Sequence, residues 1–160
     1  MPDLRTMLTD GRWGMVAVQG LLFLAVAVTA VLPVPGGRWG ASLWLSIALV
    51  ILGAVGVLWT GRSLGGALTP SPVPNGEGMT ASGLYRLVRH PMYSALVVIC
   101  LGVAVGSGAW TCDAAVAALV VFFHVKTRVE ERYLREVYDG YADYAARTGR
   151  FVPGIGRSRR

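Results

Sequence analysis

The chain has 160 residues, 54% hydrophobic and only 15% charged, with a formal net charge of +6. A soluble domain of this length needs a polar shell that such a composition does not supply. An integral membrane protein is expected, with the bilayer as its first partner and no nucleic acid among the others.

Residues 1–13 are polar and are placed at the interface. Gly14–Val34 is an uncharged stretch of 21 residues, followed by Pro33 and Pro35 without a small-x-small cleavage pattern. It reads as a retained helix rather than a removed signal. After the turn "PVPGGRWG" comes Gly40–Thr60, again 21 residues without charge. Both can cross about 30 Å of hydrocarbon as helices. Gly53 and Gly56 in the second, and Gly102 and Gly106 in the third, allow close helix approach and admit a dimer without requiring one.

Residues 61–83 are rich in Gly, Pro and Ser and have no sustained period, which suggests a functional loop such as a lid. Helix 3 is expected over 92–110, since Pro91 disfavours helical geometry at His90 but suits a first helical turn. "GSGAWTCD" then makes a tight outer turn, with Asp113 or Thr111 as the cap of helix 4. Ala114–Val125 is too short to cross alone. A span over 112–128 is expected if Lys126 and Arg128 snorkel, with the helical pattern running on to about Tyr138. A second short amphipathic segment, Tyr141–Thr148, and a basic tail complete a single all-α domain. Two cysteines, Cys100 and Cys112, give no metal pattern. With four crossings, fourteen of the fifteen cations fall on one side. The positive-inside rule then puts both termini and the 61–92 loop in the cytoplasm.

Three stretches could carry chemistry. In "LYRLVRHPMYSALVV" (84–98), Arg89 and His90 stand where a new helix offers free N–H groups, a place that favours anions. In "HVKTRVEERYLREVY" (124–138), His124, Arg128, Glu131 and Arg135 share a helical face, while Glu130 lies beside them with Lys126. The helix 3–4 hairpin brings these carboxylates to the leaflet of Arg89 and His90. A solvated, ion-paired helix is the plainer reading of that pattern; a mouth for a small zwitterion is the functional one. In "YDGYADYAARTGRFVP" (138–153), Tyr141 and Tyr144 share a face that packs on the membrane surface or caps the mouth.

The ordered pair "TASGLYRLVRHPMYSA" and "EERYLREVYDGYADYAARTGRFVP" resembles the isoprenylcysteine carboxyl methyltransferase family, with its related bacterial phospholipid methyltransferase-like membrane proteins. The matching positions are Gly83, Tyr85, Arg89, His90, Pro91 and Tyr93; then Glu130, Glu131 and Leu134; then Gly140, Tyr144, Arg150 and Pro153. Leu84 and Ala95 depart from the usual proline and glycine. The resemblance covers about half the chain. It implies S-adenosylmethionine held at the cytosolic end of the last helices by His90, Tyr93, Arg89, Glu130, Glu131 and Tyr144, with no metal. It also implies catalytic roles for Arg89, Glu131 and Tyr85, and a lipophilic or prenylated acceptor entering from the bilayer, expected here to be a bacterial inner membrane. His124 and Arg128 are candidates to orient an anionic acceptor head. Two alternatives stay open. One is an NADPH-dependent sterol- or steroid-reductase-like enzyme, which carries a similar R-H-P-x-Y but places other residues where Met92 and Ala95 stand. The other is a non-catalytic lipid-binding membrane protein.

Overall fold

The computed structural model describes residues 4–32, 38–64 and 83–158. Five helices make up the described chain: α1 (Leu4–Val31), α2 (Leu43–Leu64), α3 (Pro91–Ser107), α4 (Trp110–Val137) and α5 (Tyr141–Arg147), with a 3-10 turn at Gly83–Arg86 before α3. No strand occurs among the described residues, only isolated bridges. The expected lid segment lies mostly outside the described residues. Helix 1 begins earlier than the polar reading of residues 1–13 suggests, because the helix runs unbroken from Leu4.

Two helices are long and apolar enough to cross a membrane, over Trp13–Val31 and Leu43–Ser63. Only 6% and 11% of those apolar windows is buried in the protein, the opposite of a soluble core helix. The outward faces of α1 and α2 present Leu21, Leu24, Leu45, Ile51 and Leu58. Exposed tryptophans mark both ends: Trp13 and Trp59 at one, Trp39, Trp44 and Trp110 at the other, as interfacial belts do. Helix α3 is apolar but only 17 residues long. Helix α4 is a single 28-residue rod, about 42 Å at 1.5 Å per residue. The same rod therefore packs in the bundle and carries the Glu130–Glu131 pair out of it.

The bundle pairs α2 with α3 and α1 with α4. Val26, Cys100, Ala104, Cys112, Val116, Leu119 and Phe123 form its core. The glycine faces expected to admit a dimer are used inside the chain. A Cβ on Gly53 would stand 2.5 Å from Ile99 Cγ1 and 2.7 Å from the Ala95 carbonyl; one on Gly102 would stand 2.9 Å from Val50 Cγ2. The backbones of α2 and α3 touch because no side chain intervenes. Ala95, the departure from the family glycine, faces Gly56, where an added Cβ would lie 2.9 Å from its methyl.

At the end of the bundle away from the Glu130–Glu131 pair the two inter-helix turns lock together. Trp39 N–H donates to the Gly108 carbonyl at 2.8 Å, and Arg38 bridges Ala109. Neither Asp113 nor Thr111 caps α4; its N-cap is Ala109 without a side-chain bond. Asp113 instead accepts from Trp39 Nε1 at 2.7 Å, so the long-range partner wins over the local cap. Gly108 ends α3 in the left-handed region at φ +60, and a Cβ there would lie 2.1 Å from the Gly40 carbonyl oxygen. Gly108→Ala combines left-handed strain with a backbone clash, each worth about 1 to 2 kcal/mol. Thermal unfolding in detergent is expected to show a loss of about 2 to 4 kcal/mol, and an unchanged midpoint would refute this account of the turn.

Candidate active site at the α3–α4 mouth

Pro91 occupies the first turn of α3, and His90 is its N-cap, making no side-chain cap bond. The imidazole is thereby left to face α4. Its Nε2 lies 3.2 Å from Glu131 Oε1 and its Nδ1 3.5 Å from Glu130 Oε2. Within the first turn of α3, Tyr93 donates its hydroxyl to Glu130 Oε1 at 2.6 Å. Its ring stacks on Phe123 at 4.6 Å between centroids and on His90 at 5.8 Å. His90, Tyr93, Glu130 and Glu131 thus form one buried or part-buried cluster between α3 and α4.

The chain after α5 straps this cluster. Arg89 N–H donates to Gly149 O at 2.8 Å, His90 N–H to Arg150 O at 3.1 Å and Gly149 N–H to Leu87 O at 3.2 Å. Ser94 Oγ–H holds Phe151 O at 2.7 Å. The Arg89 guanidinium is spent on the protein itself. Its Nε donates to Glu131 Oε1 at 3.0 Å, Nη1 to the Ala145 and Thr148 carbonyls, and Nη2 to Gly156 O at 2.8 Å. Tyr144, too, turns its hydroxyl onto the Tyr85 carbonyl at 2.7 Å, stapling α5 to the 3-10 turn. Tyr85 is buried beneath it. His124 and Arg128 lie on the exposed face of α4, outside the cluster, with the His124 ring 6.4 Å from that of Phe151.

Arg150 takes a place that only its position in the tail motif hinted at. Its Nε and Nη2 hold both oxygens of Glu131, at 3.0 and 2.8 Å. Such a fork is the strong, planar form of the ion pair. Lys126 and Tyr141 also reach this site, as does Phe151, which carried no sequence signal for it. Lys126 is fully buried and donates to Gln19 of α1 at 2.6 Å. Tyr141 is 1% exposed, and its hydroxyl has no hydrogen-bond partner among the described residues. Phe151 sits 6.0 Å from the His90 ring.

Two adjacent carboxylates end in opposite states. For Glu131, burial alone would raise the pKa. The bonds from His90 and Arg150 and the charge of Arg89 overcome this and hold it well below the usual carboxylate range. For Glu130, burial dominates and pushes the carboxyl up, although His90, the Tyr93 hydroxyl and Lys126 oppose the rise. Glu131 is a settled anion. Glu130 is the one whose charge a further cation would complete. Burial also pushes the nearby phenols up, Tyr144 to about 12 and Tyr85 and Tyr141 further, so all three are neutral donors at neutral pH.

On the α2 side of the same mouth lies an apolar groove of about 220 Å³, lined by Leu52, Gly56, Leu87, Ala95, Val98 and Phe151 among others. Phe151 is common to the groove and the His90 cluster. Among the described residues no group of three or more His, Cys, Asp or Glu could hold a metal ion.

Residues 41–140 match the sequence model of the phospholipid methyltransferase family. That stretch contains His90, Tyr93, Glu130 and Glu131; Arg150 lies beyond it. The cobalt-zinc-cadmium resistance protein CzcN of Cupriavidus metallidurans is 37% identical over 124 residues, which cover 74% of this chain and 55% of that protein. The nickel-cobalt-cadmium resistance protein NccN of Alcaligenes xylosoxydans xylosoxydans is 25% identical over 144 residues, covering 85% of this chain and 64% of that protein. The chain therefore spans less than two thirds of the length of either relative.

Proposed function

Because this chain belongs to the phospholipid methyltransferase family, we propose that it is an integral membrane methyltransferase that uses S-adenosylmethionine on a lipophilic acceptor. The observation that supports this most is the split carboxylate pair, with Glu131 held by two arginines and Glu130 by His90 and Tyr93. The residues fit the cofactor. Its ammonium and sulfonium are cations that a buried carboxylate favours, and the Tyr141 hydroxyl is a buried polar atom lacking a protein partner.

When bound, the cofactor supplies an electrophilic methyl group. In this reading Glu130 and His90 hold its amino-acid end. Glu131 binds no ligand directly; it fixes His90 and, through Arg89 and Arg150, the tail strap. Tyr93 aims Glu130, while Tyr85 and Tyr144 hold α5 in place. Arg89 and Tyr85 are thereby positioning residues rather than catalytic ones. The strap excludes water, so catalysis rests on alignment. The apolar groove receives the acceptor, with Phe151 between it and the cluster. His124 and Arg128 meet an anionic head at the lipid surface. Four crossings with both termini cytoplasmic, in a bacterial inner membrane, complete the proposal, since the cation partition and the tryptophan positions suit it.

Detergent-purified protein is expected to bind S-adenosylmethionine or its demethylated product in calorimetry, and His90→Ala to weaken binding at least tenfold. No binding of either ligand, with NADPH stabilising the fold instead, would overturn the reading. Labelled methyl transfer into lipid extract beside a prenylcysteine panel identifies the acceptor.

A further inference from the structure

The chain contains fourteen arginines and a single lysine, Lys126. That lysine is 0% exposed, whereas Arg62, Arg86, Arg128 and Arg132 of the same cytoplasmic group lie open. A charge buried within a bundle of membrane helices is costly and is held by specific partners. One of its partners is the neutral Gln19: Nζ donates to the amide oxygen at 2.6 Å, across 107 residues of sequence. This bond steers the ammonium.

The ammonium also faces the site. Lys126 stands one helical turn before Glu130. Its Nζ lies 5.3 Å from the centroid of the Tyr93 ring, and the hydroxyl of that ring donates to Glu130 Oε1 at 2.6 Å. A line of polar groups therefore runs from α1 through Gln19, Lys126 and Tyr93 to Glu130. We propose that Lys126 is a positioning residue of the methyl-donor site, the buried cation that keeps Glu130 an oriented carboxylate ready for a cationic ligand. The inference rests on the methyl-donor reading of that site. Lysine suits the place because its ammonium is a compact point charge on a flexible stem. Arginine would bring the same charge on a longer, planar head. The groups facing Glu130 are Tyr85 from the 3-10 turn, His90 and Tyr93 from the start of α3, and Glu131 and Lys126 from α4. Of these, Lys126 is the one fixed cation.

The test exploits the lone lysine. Protein labelled with ¹⁵N only at lysine Nζ gives one side-chain signal. In the absence of any ligand, Glu130→Gln is expected to move that signal, while Glu136→Gln, on the distant part of α4, leaves it in place. In calorimetry Lys126→Met is expected to weaken S-adenosylmethionine binding at least tenfold. It should also shift the acidic limb of the affinity–pH profile to higher pH, because Glu130 then keeps its proton longer. Lys126→Arg restores most of the affinity, and Gln19→Leu, which removes only the tether, costs less than Lys126→Met. A signal indifferent to Glu130→Gln overturns the proposal. So does a Lys126→Met protein that binds with wild-type affinity and pH dependence. Should Lys126→Met not fold, the ¹⁵N comparison decides alone. If wild-type protein binds no methyl donor, the functional reading fails, while the ¹⁵N result still reports whether Lys126 and Glu130 are coupled.

Discussion

Glu131→Gln is expected to be among the most damaging single changes to this protein. It leaves the Arg89 and Arg150 guanidinium groups facing a neutral amide in a site where the Glu131 side chain is 4% exposed. Breaking a buried ion pair from one side costs about 3 to 5 kcal/mol, roughly 6 to 20 °C in thermal midpoint for a chain of this size. The pH dependence carries the same signature. Glu131 has its folded-state pKa depressed, so its stabilisation is present in full above the ordinary glutamate value of about 4.3 and is lost as pH falls from there through the folded value. The gap between wild type and Glu131→Gln should be full at pH 7 and close under acid. Glu130 has the opposite sign: its pKa is raised by burial, so its charge opposes folding as pH rises past the ordinary value. Glu130→Gln is therefore expected to be at least as stable as wild type at pH 7, while losing ligand affinity. Thermal unfolding of both variants from pH 3 to pH 8 checks both signs. Parallel behaviour of the two would sink the division of roles between them.

Arg89→Lys is the second large effect. Three backbone carbonyls of the α5 end and the tail, at Ala145, Thr148 and Gly156, converge on one guanidinium. Lysine offers three protons from a single point and cannot span them. Losing two of these charge-assisted bonds, each worth about 1.5 to 3 kcal/mol, predicts a loss of roughly 3 to 6 kcal/mol. It should appear as tail release: faster amide exchange over 149–156 and easier proteolysis there, with α1 to α4 still protected. If Arg89 instead served a ligand directly, the variant would lose affinity while its tail stayed protected. The two outcomes are separable by exchange mass spectrometry on ligand-free protein.

The membrane class, the helical architecture and the hairpin of α3 and α4 were legible in the chain, because they follow from composition, from apolar run length and from where Gly and Pro interrupt it. The meeting of His90 and Tyr93 with Glu130 and Glu131 was legible too. Pro91 marks a helix start, the α3–α4 turn is short, and a helix carries neighbouring side chains at known angles. Local rules reached that far because each deals with residues close in sequence or joined by one tight turn.

Which partner each buried group takes was decided by the tertiary structure. Arg89 looked like an anion site from its place before a helix, yet carbonyls 56 to 67 residues away absorb it. Asp113 looked like a cap and instead holds Trp39. The glycines of α2 and α3 could have faced another molecule, and face each other. Glu130 and Glu131 are the same residue type side by side. One is neutralised by two arginines and the other depends on a histidine, a phenol and a lysine. A buried donor or charge is satisfied by whatever lies within about 3 Å of it in space. Sequence periodicity sets the face a side chain occupies, but only the packing of distant segments sets what stands opposite.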